Sequence, residues 1–119
     1  MKLAVNQATL MKTPMDLFLD AIAKAGFKGV ELRRDETFEY LKNHTVQELK
    51  ELLESSSLEC ITFNAIELFS LCPDEEFKRI LEYTDRLMEI GNQIGCDMII
   101  AVPSFLEDPN INNSKIISQ

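Results

Sequence analysis

The chain has 119 residues, of which 45% are hydrophobic and 27% charged, and 12 Lys and Arg against 20 Asp and Glu leave a net charge of -8. That length allows one domain with a modest core, and the apolar fraction excludes a disordered composition. The acidic balance argues against a nucleic-acid surface, which needs clustered Lys and Arg, and fits a soluble protein kept apart by self-repulsion.

Lys2–Gln7 reads as a short strand, with Leu3 and Val5 on one side and Ala4 and Asn6 on the other. Thr13-Pro14-Met15-Asp16 then predicts a helix start, with Thr13 as cap, Pro14 at the first helical position and Asp16 opposing the dipole. Leu17, Phe18, Ala21, Ile22 and Ala25 form its expected apolar face, and Gly26 supplies the left-handed stop. Gly29–Arg33 is the second strand, with Val30 and Leu32 on one face and Glu31 and Arg33 on the other. A polar loop follows, in which Phe38, Tyr40 and Leu41 suggest a turn of helix. Thr45-Val46-Gln47-Glu48 is a capping box, and Leu49, Leu52 and Leu53 follow at helical spacing.

Leu58–Ala65 is the third strand, with Ile61, Phe63 and Ala65 sharing one face and Cys60, Thr62 and Asn64 the other. Pro73-Asp74-Glu75-Glu76 opens the longest helix. Its expected buried stripe is Phe77, Ile80, Leu81, Leu87, Met88 and Ile94, closed by Gly95. Asp97–Val102 is the fourth strand, ended by Pro103, which cannot donate to a ladder. Asn113 or Ser114 could cap another helix beginning with Ile116 and Ile117.

Short strands separated by crossovers long enough for a helix imply parallel pairing. The carboxyl ends of such strands share one rim, where sites form. Four such units fall far short of the roughly 250 residues of a closed eight-stranded barrel. Residues 1–119 therefore read as a partial domain, cut within the helix after the fourth strand. Cys60, Cys72 and Cys96 show no metal-ligand spacing, and buried free thiols in a reducing cytoplasm are the default. The apolar start is too short for a signal peptide, and no run is long enough to span a membrane.

Asn6, Glu31, Arg33 and Asn64 fall near strand ends, and Ser104 follows the fourth strand. Glu31, between Val30 and Leu32, is the sharpest signal. It could act in proton transfer, orient a substrate hydroxyl, or form an internal ion pair with Arg33 or a partner on an adjacent strand. Asn64 could meet substrate or hold Glu31, and Arg33 could bind an anion. His44 and Glu67 read as solvated loop residues. No metal site can be built from this chain.

NQAT at Asn6–Thr9, FKGVELR at Phe27–Arg33, ITFNAI at Ile61–Ile66 and IIAVPS at Ile99–Ser104 together resemble the xylose isomerase-like barrels. The resemblance is strongest to the sugar phosphate isomerase/epimerase group, and it covers nearly the whole chain. It implies the N-terminal half of a TIM barrel, with about four strands and three full helices. It also implies a small sugar or sugar phosphate substrate and one divalent metal (Mn, Mg, Co or Zn) held by Glu, Asp, His and Glu from later strands, so none falls on this sequence. Glu31 matches the glutamate of the family's second-strand motif, and Asn6 and Asn64 match inward positions that contact substrate or support such contacts. The chain alone is expected to be inactive. A self-pairing half barrel, as a homodimer or with a complementing fragment, is the rival reading. An abasic-site endonuclease fragment is a third, disfavoured by the charge.

Overall fold

The computed structural model describes residues 1–104. The helix expected at Asn113 or Ser114 lies outside them. Four strands form one parallel sheet in sequence order: β1 (Ala4–Asn6), β2 (Gly29–Arg33), β3 (Glu59–Glu67) and β4 (Ile99–Val102). The crossovers carry α1 (Met15–Lys24), α2 (Arg34–Tyr40), α3 (Val46–Ser55) and α4 (Asp74–Ile94). A 3-10 turn, Gln7–Leu10, follows β1. This is the parallel α/β architecture of half a TIM barrel.

The core lies between the helices and the outer face of the sheet. Val30, Leu32 and Phe63 are fully buried there against Phe18 and Leu19 of α1, Leu49 of α3 and Leu87 of α4. Each such side chain contributes about 1.5–3 kcal/mol through loss of apolar surface from water. The parallel pairing and the outward direction of Leu32 and Phe63 agree with the sequence pattern, and the strand order with the half barrel that the resemblance implies.

Several local expectations do not hold. Pro14 rather than Thr13 precedes α1, and no side chain caps that helix. The Thr45–Glu48 capping box, by contrast, is present as expected, in both directions. Residues 34–40, expected as a loop with one helical turn, form a helix of two turns. In α1, Leu17, Ala21 and Ala25 are exposed, and Met15 and Leu19 join Phe18 and Ile22 in the core. In α4, Leu81 and Met88 are about half exposed, while Ile90 and Gly91 complete the buried stripe with Ile80 and Leu87. Leu81 and Met88 repeat the spacing of Ile80 and Leu87 one residue further round, about 100° away. Periodicity cannot separate two adjacent stripes of equal spacing.

In β3 the alternation breaks. Val30 pairs with Cys60 but Glu31 with Thr62, so Ile61 is an extra residue on the β3 side. This bulge puts Cys60 in the core with Phe63, contrary to the simple alternation. Ile61 instead fills the space beside Gly29, where a β-carbon would stand 2.8 Å from Ile61 Cγ1 and 2.9 Å from Ala4 Cβ. A second irregularity leaves Ala65 unpaired between Asn64 and Ile66 opposite β4.

Candidate functional site

The first three strands end on one rim, and there the inner face carries a polar cluster. Asn6 and Glu31 are direct cross-strand partners. Asn64 lies one pleat further along β3, opposite Arg33. Asn6 Oδ1 accepts the Ala8 amide at 2.6 Å. That bond fixes the orientation of the Asn6 amide and turns Nδ2 toward Glu31. Asn6 Nδ2 donates to Glu31 Oε1, and Asn64 Nδ2 donates to the same oxygen at 3.1 Å.

No hydrogen bond from the described residues reaches Glu31 Oε2. Every fully buried side-chain oxygen or nitrogen described has a partner. Oε2 is therefore open to solvent on the inner side. The cluster is a carboxylate braced by two amides, with one acceptor oxygen presented to whatever occupies the inner space.

Arg33 and Ser104 do not join it. The Arg33 guanidinium turns away and meets Glu36 at 3.2 Å, so the internal Glu31–Arg33 pair is not formed. Ser104 bonds to Ser70: its amide donates to Ser70 Oγ at 2.9 Å, and its hydroxyl donates to the Ser70 carbonyl. His44 is exposed and stacks on Tyr40 with ring centroids 4.0 Å apart. Glu67 is exposed.

Three supporting residues went unnoticed in the sequence. Gln7, 2% exposed, accepts the Arg33 amide on Oε1 at 2.9 Å and donates to Met15 Sδ at 3.5 Å. Thr37, fully buried, donates its hydroxyl to the Arg33 carbonyl at 2.7 Å. The last peptide groups of β2 are thereby satisfied by side chains where the ladder ends. Arg34 donates to the Ala65 carbonyl at 3.2 Å, lies 4.5 Å over the Tyr83 ring, and pairs with Asp35 at 2.7 Å. The Asp35 hydrogen bond raises the Arg34 pKa and lowers that of Asp35, partly opposed by burial in each case. A buried Gln just past a strand end is the one signal that could have revealed this brace.

An open groove of about 580 Å³ runs beside the rim, with Gln7, Lys12, Asp16, Glu36, Tyr40 and His44 among its walls. Glu31 is not part of it. No group of three or more His, Cys, Asp or Glu among the described residues could hold a metal ion. Glu31 is one carboxylate already carrying two amide donors, and Glu36 is taken by Arg33. These residues do not fit a divalent metal by themselves. No helix among them is long and apolar enough to cross a membrane.

Residues 19–116 match the family described as xylose isomerase-like TIM barrel. An inosose isomerase of Halalkalibacterium halodurans is 30% identical over 110 residues, covering 91% of this chain and 39% of that protein. An inosose isomerase of Bacillus velezensis is 28% identical over 109 residues, covering 90% and 39%. The IOLI protein, solved with a zinc atom, superposes with a TM-score of 0.84 at 28% identity, over 99% of this chain and 43% of that one. The chain thus spans about two fifths of the length of these relatives.

Proposed function

The chain belongs to the xylose isomerase-like TIM barrel family, and on that premise we propose that it supplies the substrate-orienting half of a divalent-metal-dependent sugar or sugar phosphate isomerase or epimerase. The observation that carries this reading is the braced Glu31 carboxylate, with one oxygen held by Asn6 and Asn64 and the other open. A polyhydroxylated substrate offers hydroxyl donors to such an oxygen, and a carboxylate held in place by two amides need not reorganise to receive one. Glu31 in this reading orients a substrate hydroxyl, and Asn6 and Asn64 position Glu31. The metal and the residues that hold it would come from other strands. The similarity to two inosose isomerases favours a cyclic polyol ketone as substrate.

The test is a chimera in which this chain replaces the corresponding segment of the Halalkalibacterium halodurans inosose isomerase. The chimera is expected to isomerise inosose, and Glu31→Gln is expected to lower its kcat/KM by about tenfold to a hundredfold, the worth of one hydrogen bond to a charged group. A folded, metal-loaded chimera that is inactive, or indifferent to Glu31→Gln, would overturn the proposal. The 119-residue chain alone, with added manganese, is expected to show no turnover.

A second reading is a half barrel that pairs with itself. Among the described residues β1 and β4 each have one neighbouring strand, and Leu3, Leu17, Leu81 and Met88 are exposed. Light scattering distinguishes it by a dimeric mass.

A further inference from the structure

The β1–β2 register ends at Asn6 and Glu31, although β2 runs on to Arg33. β1 stops because the chain turns into the 3-10 helix Gln7–Leu10. The Arg33 amide would then lack an acceptor on the β1 side, where the ladder has ended. Gln7 supplies one from its side chain: Oε1 accepts the Arg33 amide at 2.9 Å, and the residue is only 2% exposed. That bond also settles which way the Gln7 amide points, since only its oxygen can receive an N–H. Nε2 is left with Met15 Sδ at 3.5 Å, a weak acceptor. The oxygen is therefore the part of this side chain that the fold uses most.

Asn6 and Gln7 are adjacent in the chain and reach the same strand at two points. Asn6 Nδ2 donates to Glu31, and Gln7 Oε1 accepts from Arg33. One bond between two strands is a pivot, whereas two fix both spacing and tilt. The turn held by Gln7 also carries the Ala8 amide, which donates to Asn6 Oδ1 at 2.6 Å and so directs Asn6 Nδ2. Hydrogen bonds and main chain close a ring from Arg33 through Gln7, Ala8 and Asn6 back to Glu31.

We propose that Gln7 is a positioning residue for Glu31: its buried oxygen, by holding the Arg33 amide, locks the turn after β1 so that Asn6 aims the Glu31 carboxylate at the inner space. The proposal rests on the reading of Glu31 as the group that receives a substrate hydroxyl. Gln7 makes no hydrogen bond to Glu31 and acts through Asn6.

Two substitutions separate this role from plain stability. Gln7→Met keeps the length of the side chain and removes the acceptor. Gln7→Glu keeps a carboxyl oxygen as acceptor in either protonation state and removes only the donor to Met15.

The test follows the side-chain amides of Asn6 and Asn64 by NMR in the isotope-labelled chain. In the parent, the Asn6 amide should exchange with water about tenfold or more slowly than that of exposed Asn43. Gln7→Met should abolish that difference, and Gln7→Glu should retain it. Thr45→Ala, which weakens an exposed cap elsewhere, should also retain it. If Gln7→Met leaves the isolated chain unfolded, the same amides are read in the chimera with the inosose isomerase, labelled at asparagine. An Asn6 amide as slow in Gln7→Met as in the parent would overturn the proposal. So would a parent Asn6 amide as fast as Asn43, or equal losses in Gln7→Met and Gln7→Glu. In the active chimera, Gln7→Met should lower kcat/KM about twofold to tenfold, the worth of one neutral hydrogen bond, and add nothing to Glu31→Gln. The same loss in both backgrounds would make Gln7 merely structural and overturn the proposal. An inactive chimera would overturn the proposed function alone, because the amide signals are read without substrate.

Discussion

The two faces of the sheet are held together by different physics. The outer face is apolar and closed: Val30, Leu32 and Phe63 have no contact with water and lie beneath three helices. The inner face at the rim is polar and partly open, and its order comes from hydrogen bonds linking one strand to the next. Packing is bulk and tolerant of detail, whereas the rim depends on single donors and acceptors. A fold can thus be stable on one face while the other remains available for chemistry.

The largest effect should come from breaking the outer face. Phe63→Ala is expected to cost about 3–5 kcal/mol, because a fully buried ring leaves a cavity its neighbours fill only in part. Urea denaturation measures it. A loss below about 1 kcal/mol would mean the outer face is not the main source of stability.

Breaking the rim should cost less. Gln7→Ala removes the acceptor of the Arg33 amide where no ladder partner is available, and an orphaned buried amide costs about 1–3 kcal/mol. The same denaturation series ranks it against Phe63→Ala. A cost equal to that of Phe63→Ala would erase the distinction between the two faces.

The same contrast explains what was legible in advance. Burial of the outer sheet face imposes alternation, so Val30, Leu32 and Phe63 could be assigned from pattern alone, whereas the strand order followed from the resemblance to the barrel family. Glu31 stood out because a carboxylate among apolar neighbours must be explained. Its bracing by Asn6 and Asn64 follows once the register is known. Ile61 and Cys60 were misplaced because a bulge has no mark in composition. Gln7, Thr37 and Arg34 were missed because their roles come from long-range geometry: each side chain bonds to a backbone group made available only by how β2 and β3 end.

A smaller effect separates a cap from the rim. Thr45→Ala removes the hydroxyl that accepts the Glu48 amide, and such a cap is worth about 1 kcal/mol. Its loss should destabilise α3 without disturbing the inner cluster, because the bond is exposed and local. Hydrogen exchange read amide by amide distinguishes the two: protection should fall in the first turn of α3 and persist at Arg33.

The smallest effect is a pH dependence at the Arg34 brace, and its sign is fixed. The Arg34 hydrogen bond holds the Asp35 pKa below its ordinary range in the folded chain, against the opposing effect of burial. A carboxyl with a lowered folded value contributes stability in full above its unfolded pKa of about 4, and loses it as pH falls through the folded value. Asp35→Asn should therefore lower stability slightly at neutral pH and converge with the parent chain in acid, flattening the acid limb; the neutral loss is small because the Asp35 side chain is largely exposed and screened. Arg34 still reaches the Ala65 carbonyl and the Tyr83 ring without Asp35, so the tie between β2 and β3 should persist in acid. An acid limb identical in Asp35→Asn and the parent chain would place the pH sensitivity elsewhere in the fold.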